Sequence, residues 1–253
     1  MKYIDIHTHP FTEYYANPLE VVDQWYNDNM EKLFVVGTSL KDSKEILELC
    51  SKRDFLYPII GIHPTEVTGA NDAVLLEEIL TKDVIAIGEF GLDYHYNDSP
   101  SKEIQKASML AQLDLCIKHN LVAMLHIRDA LDDAFEIVTN PKYKDLKIVM
   151  HSYSGDAELV KKYLPYKNIY FSISGVVTFK NGKVTQEAVK VIPVERLFCE
   201  TDTPYLAPTP MRGKPNISPY VEYTYKFIAD LKQIPLEAFI KQIKDNVKKV
   251  FNV

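Results

Sequence analysis

Short apolar runs alternate with longer amphipathic ones along the whole chain. Runs of strand length occupy Tyr3 to Ile6, Leu33 to Thr38, Leu56 to Ile62, Val84 to Glu89, Leu121 to His126, Lys147 to His151, Tyr170 to Ser174 and Leu197 to Glu200. Helical spacing fills Pro18 to Met30, Lys41 to Lys52, Ala73 to Leu80, Ser101 to His119, Ala130 to Val138, Asp156 to Tyr163 and Lys183 to Val191. Two further helices, Pro219 to Lys232 and Pro235 to Phe251, follow the last strand. Val84-Ile85-Ala86-Ile87-Gly88 is nearly continuous in apolar residues, as parallel strands covered on both faces are. Strand and helix in repeated alternation predict an α/β protein, a single TIM-type (β/α)8 barrel over residues 1–253. The competing architecture, an open doubly wound sheet, calls for a glycine-rich phosphate loop after its first strand. This chain has His7-Thr8-His9-Pro10 there instead.

Composition narrows the picture. With 253 residues, 46% of them hydrophobic, the chain can bury one large core, and no proline-rich, glycine-rich or repetitive linker divides it. A net charge of -6 excludes a protein that coats duplex DNA with a basic surface, because that mode draws its affinity from many Lys and Arg contacts to phosphates. It leaves room for a local phosphate site. Cys50, Cys116 and Cys199 have no CxxC spacing and lie in apolar stretches, which predicts buried thiols in a reducing compartment. The chain runs from Lys2 into its first strand without a signal-peptide apolar region, and no run approaches the ~20 residues needed to span a bilayer. The expectation is a cytoplasmic protein with no membrane segment, and no feature points to a protein partner.

Barrel enzymes carry their chemistry at the C-terminal ends of the strands and in the loops that follow. Here those positions hold His7 and His9 in Asp5-Ile6-His7-Thr8-His9, then Gly61-Ile62-His63-Pro64, Gly88-Glu89-Phe90-Gly91-Leu92-Asp93, Leu125-His126-Ile127-Arg128-Asp129, His151-Ser152-Tyr153-Ser154-Gly155 and Glu200-Thr201-Asp202-Thr203-Pro204. Five of the seven histidines fall at these ends. By strict alternation Ile4 and Ile6 share one face of the first strand, and Asp5, His7 and His9 the other, so that two imidazoles can grip one ion. A carboxylate such as Glu89 at the mouth of an apolar barrel needs a cation or hydrogen-bond donors to be tolerated. His7, His9, Glu89, His126, His151 and Asp202 together predict a metal site.

These motifs, in this order, resemble the TatD family of metal-dependent hydrolases. So does the late stretch Tyr205-Leu206-Ala207-Pro208, continuing through Arg212-Gly213-Lys214-Pro215-Asn216. The resemblance covers essentially the whole chain and implies a distorted barrel of the amidohydrolase superfamily with metal-dependent deoxyribonuclease activity. One departure stands out: where the family's first motif often continues with Leu-Asp, this chain has Pro10-Phe11. Carried over residue by residue, the resemblance implies two divalent ions, one held by His7, His9 and Asp202 and the other by His126 and His151, with Glu89 bridging them. Two cations can clamp the attacking and leaving oxygens of a phosphodiester and lower the pKa of a bound water. Asp202 is then expected to orient that water and take its proton, and Glu200 to steer a ligand from behind it.

Four imidazoles and two carboxylates suit Zn, Mn, Fe or Ni better than Mg, whereas the family resemblance implies that Mg supports nuclease turnover. Two such ions against Glu89 and Asp202 leave a positive surplus at the barrel mouth, which attracts a phosphate to an acidic protein. Arg128, Lys180, Arg212 and Lys214 are candidate phosphate contacts, as is His63. Tyr94, Tyr96, Tyr153 and Tyr205 are candidate stacking residues for bases. A site at the floor of a barrel mouth favours DNA ends or single strands and stepwise trimming, and the resemblance implies a 3'-5' exonuclease. Two alternatives share these residues: a hydrolase of small esters, amides or aminoacyl-tRNA esters, and a non-catalytic metal-bound scaffold.

Overall fold

The computed structural model describes residues 1–253. Its strands are β1 (Tyr3–Thr8), β2 (Met30–Val36), β3 (Leu56–Ile60), β4 (Ala86–Asp93), β5 (Val122–Arg128), β6 (Ile148–Met150), β7 (Ile169–Ile173) and β8 (Leu197–Cys199). The helices are α1 (Pro18–Asn27), α2 (Leu40–Cys50), α3 (Asp72–Glu78), α4 (Lys102–His119), α5 (Leu131–Val138), α6 (Ala157–Tyr163), α7 (Lys183–Val191), α8 (Val221–Leu231) and α9 (Leu236–Phe251). All eight strands lie in one sheet in chain order, every pair parallel. This is the expected (β/α)8 barrel.

Several helices begin on side-chain caps placed just beyond a strand or loop. The Asn17, Ser39, Ser101 and Asp156 side chains accept the N–H of Glu20, Asp42, Ile104 and Leu159, satisfying donors that a helix start leaves free. The second strand begins at Met30, earlier than the apolar run suggests. Asn29, with φ of 74°, ends the turn after α1 and sends the chain into the sheet.

Alternate residues of the strands face two different cores. Leu33, Val35, Ile60, Ile87, Leu125, Ile148 and Phe171 pack outward under the helices, while Ile4, Ile6, Phe34, Val36, Ile59, Met124, Val149 and Phe198 fill the barrel. The inner cluster also takes Val247, Val250 and Phe251 from α9. The Phe251 ring sits edge-on to Phe34 and Phe198, at centroid distances of 4.9 and 5.6 Å. Thus α9 plugs the end of the barrel where the strands begin, and the other end stays open.

The joint between β1 and β8 is the irregular one. A single parallel bridge pairs Thr8 with Thr203, the Asp202 N–H donates to the His7 carbonyl (3.0 Å), and the His9 N–H donates to the Thr203 carbonyl (3.1 Å). Lower down, the Asp5 carboxylate accepts the Thr201 N–H (2.9 Å) and the Thr201 hydroxyl (2.5 Å). A side chain therefore substitutes for ladder bonds at the seam. Asp5 was expected to share a face with His7 and His9, and the structure corrects this. The β1 ladder shifts register between Asp5 and Thr8, so Asp5 turns to the seam while His7 turns inward, with its Nδ1 3.1 Å from Met124 Sδ of the inner cluster.

Candidate metal centre

The imidazoles of His7 and His9 meet at the open end of the barrel, Nε2 to Nε2, 3.1 Å apart. The second carboxylate oxygen of Glu89, Oε2, lies 3.1 Å from His7 Nε2 and 3.7 Å from His9 Nε2. Its other oxygen, Oε1, lies 2.6 Å from His126 Nδ1 and 3.5 Å from His151 Nε2. One carboxylate thus faces two pairs of imidazoles, one pair with each oxygen. Asp202 Oδ1 lies 3.4 Å from His9 Nε2, 3.8 Å from His7 Nε2 and 3.7 Å from His151 Nε2. The His7 and His151 rings stack at 3.6 Å. All six residues expected to hold metal are therefore brought to one place.

Glu89 reaches that place through an irregularity in its strand. The run from Val84 suggested that the strand ends at Glu89, but β4 continues to Asp93 and its ladder with β5 shifts between Ile87 and Phe90. The backbone there is tightly pressed. A Cβ on Gly61 would lie 2.4 Å from the Gly88 carbonyl carbon, and one on Gly88 would lie 2.7 Å from Met124 Cβ. Glycine is required at both positions because neighbouring strands leave no room for a side chain. From behind, α4 clamps the strand ends: Gln112 accepts the Ile62 N–H at 3.1 Å, and Gln105 accepts the Asp93 N–H at 2.8 Å.

The cluster's electrostatics are those of a cation site. Burial would raise the Glu89 carboxyl, yet His151, His7 and His126 hold it well below the ordinary carboxylate range. Burial likewise opposes ionisation of Asp202, and the surrounding imidazoles of His151, His9 and His7 bring it down to about 2. Against the same burial, carboxylates raise His9, His126 and His151, the last to about 10 under Glu200, Glu89 and Asp202. Protons on imidazoles supply the positive charge that the buried carboxylates need. The donor set fits divalent ions directly: His7, His9 and Glu89 form one group of ligand atoms all within 4.8 Å of one another, and Glu89, His126 and His151 form another. Nitrogen and carboxylate donors in this mix suit borderline transition metals.

The remaining expected residues divide. Glu200 is fully buried, with Oε1 2.7 Å from His151 Nδ1 and accepting the Ser152 N–H at 2.9 Å. His63 lines the cleft, with Nε2 3.8 Å from Glu89 Oε1, and burial together with the nearby His126 lowers it to about 4. Arg128 lines the cleft and donates to the Tyr96 hydroxyl at 3.0 Å. Arg212 instead rests its guanidinium on the Phe179 ring, 3.9 Å from the centroid, and neither it, Lys180 nor Lys214 is among the cleft residues. Lys41, at the start of α2, provides a cation there that the motifs did not indicate. Tyr96 and Tyr205 stand exposed at the rim, Tyr94 is turned to Asp133, and Tyr153 is buried against Phe171. The cleft over the cluster has a volume of about 890 Å³.

Asp93 is the residue that sequence reasoning passed over. It is 1% exposed, and its Oδ2 lies 3.0 Å from His126 Nε2. Its position four residues after Glu89 in the same strand was the available signal.

The family model for TatD related DNase matches residues 4–252. The chain belongs to the TatD family. Among curated relatives, the uncharacterized metal-dependent hydrolase YabD of Bacillus subtilis (strain 168) is 36% identical over 253 residues, covering 98% of both chains. The uncharacterized metal-dependent hydrolase MG009 of Mycoplasma genitalium is 38% identical over 262 residues, covering 99% of both. Among solved structures, YjjV, a TatD homolog from Escherichia coli K12, superposes with a TM-score of 0.90 at 22% identity, covering 99% of this chain and 98% of that one. This TatD-family chain is a metal-dependent hydrolase on a (β/α)8 barrel. None of its helices is long and apolar enough to cross a membrane.

Proposed function

We propose that the chain hydrolyses phosphodiester bonds of DNA, trimming ends or single strands, with two divalent ions held in the cluster. The observation that carries this reading is the divided Glu89 carboxylate, with Oε2 toward His7 and His9 and Oε1 toward His126 and His151. On this reading His7, His9 and Asp202 would hold one ion and His126 and His151 the other, with Glu89 shared between them. Two such ions would supply positive charge to the attacking and leaving oxygens of a phosphodiester and lower the pKa of water so that hydroxide is available near neutral pH.

The chain's own groups do the rest. Asp202, with a side chain 15% exposed at the cleft floor, is placed to orient the attacking water and accept its proton. Its backbone N–H is held by the His7 carbonyl, so its carboxylate is fixed relative to β1. His63 and Arg128 line the wall beside His126, and Lys41 and Tyr96 also face the cleft, a set suited to a phosphate and a base. The cluster lies at the floor of the cleft, which an unpaired strand or an end enters more readily than the middle of a duplex.

The test is metal-stripped protein refilled separately with Mg, Mn or Zn and incubated with end-labelled single-stranded and duplex DNA, beside the Asp202→Asn variant. Metal-dependent stepwise shortening from one end, absent in the variant, is the expected result and reports the polarity. Two ions per chain without DNA cleavage by any metal, together with turnover of a small chromogenic ester, would overturn the nuclease reading.

A further inference from the structure

The four imidazoles of the centre are backed in two different ways. His9 Nδ1 faces the Val36 carbonyl at 2.8 Å, and His7 Nδ1 faces the Met124 thioether at 3.1 Å. Both backing groups are neutral. His151 Nδ1 faces the Glu200 carboxylate at 2.7 Å, and His126 Nε2 faces the Asp93 carboxylate at 3.0 Å. The carboxylates in the middle of the centre are shared: Glu89 reaches both halves, and Asp202 Oδ1 lies 3.4 Å from His9 Nε2 and 3.7 Å from His151 Nε2.

We propose that Asp93 is a positioning residue for the second ion, acting through His126. It accepts the Nε2–H and so turns Nδ1, which donates to Glu89 Oε1 at 2.6 Å, to the centre as the nitrogen that ligates once its proton is released. A carboxylate behind a ligating imidazole fixes its tautomer and ring orientation and makes the ligating nitrogen a better donor. On the two-ion reading, which gives Asp202 to the His7 and His9 half, Asp93 and Glu200 back the half left with fewer direct anions. His126 has particular need of such a hold, since its side chain is 18% exposed while those of His7, His9 and His151 are almost wholly enclosed.

Asp93 is itself immobilised. Its Oδ1 accepts the His95 N–H at 2.9 Å, and its backbone N–H and carbonyl are both bonded to the Gln105 side-chain amide, at 2.8 and 2.9 Å. Gln105 is anchored in turn on the Pro100 carbonyl at 2.9 Å. A ligand-orienting group gains from this kind of support, because small displacements of a ligating atom weaken a metal site. The carboxylate is therefore held by β4 and α4 independently of the imidazole it orients.

This inference rests on the two-ion reading of the centre, and its test measures Zn(II) binding instead of catalysis. Wild type, Asp93→Asn, Asp93→Glu, His126→Ala and the Asp93→Asn/His126→Ala double variant are titrated with Zn(II) against a chromophoric chelator. Wild type is expected to take two ions. Asp93→Asn should lose about 10–100-fold in affinity for one of them and leave the other unchanged. Asp93→Glu, which keeps the charge, should recover much of the loss. Adding Asp93→Asn to His126→Ala should cost nothing more, because its effect passes through that ring. Nitrogen NMR of wild-type protein loaded with Zn(II) gives a reading independent of how well the variants fold: His126 should show a protonated Nε2 and a coordinated Nδ1.

Unchanged affinity in Asp93→Asn, full additivity in the double variant, or coordination through Nε2 would overturn the assignment to Asp93 while leaving the two-ion reading intact. A wild-type chain that takes only one ion would overturn that reading and the assignment with it.

Discussion

Replacing Gly61 by alanine should cripple the centre from the position just after β3, a strand that carries none of the proposed ligands. The added Cβ would sit 2.4 Å from the Gly88 carbonyl carbon and 2.5 Å from its oxygen, where ordinary contact begins at 3.4 Å. The obstruction is backbone, so no side chain can swing away, and β3 and β4 must part by about 1 Å next to Glu89, an overpacking shift that costs ~1–3 kcal/mol. The larger consequence is geometric. A displacement of about 1 Å in a catalytic constellation costs on the order of 100-fold in rate, and Glu89 is the group that both pairs of imidazoles face. The assay compares turnover per folded molecule in Gly61→Ala and wild type at saturating metal, with urea unfolding and ion content measured on the same samples. A variant that folds, holds two ions and turns over at the wild-type rate would show that the β3 to β4 contact does not place Glu89.

Other expectations follow from the same geometry. Asp202→Asn should keep the fold and retain bound metal while losing most turnover, as ion analysis beside single-turnover kinetics would show; an unimpaired rate would remove Asp202 from the chemistry. Metal uptake near pH 7 should release a proton, because, against its burial, Glu200, Glu89 and Asp202 raise His151 to about 10 and it must become neutral to ligate. Apparent affinity therefore rises as pH rises toward that value, and calorimetry in buffers of different ionisation enthalpy counts the protons, with a count of zero contradicting the scheme. Phe251→Ala, at the plugged end of the barrel, should cost about 3–5 kcal/mol of stability. Its turnover per folded molecule should stay near wild type, and a matching loss of activity would refute the separation of the two ends.

The barrel was legible because its strands are buried on both faces and bounded by helical spacing, so eight apolar runs mark eight strands. That six side chains would cluster was legible because they recur at the ends of those runs. Which way each side chain points was not. Strict alternation puts Asp5 and His7 on one face, and the register shifts in β1 and β4 break that alternation at the residues that matter. A bulge leaves no mark in the apolar pattern. Partnerships across the chain were equally hidden. Asp5 meets Thr201 across a separation of 196 residues, and Asp93 meets His126 across 33, so neither carboxylate's task shows in its neighbours in sequence. Tyr153 and Arg212 had the right chemistry for substrate contact, yet Tyr153 is buried and Arg212 stacks on Phe179.

On the two-ion reading, the seam between β1 and β8 would couple closure of the barrel to metal binding. Asp202 and His7, which face one another across the centre, are also joined through the backbone where the barrel closes. An ion held from both sides would act as a rivet through the wall, and its binding free energy would add to that of folding. At a free concentration about 100 times its Kd, one such ion would contribute about 2.7 kcal/mol, so the closed barrel would open less readily in the loaded protein than in the stripped one.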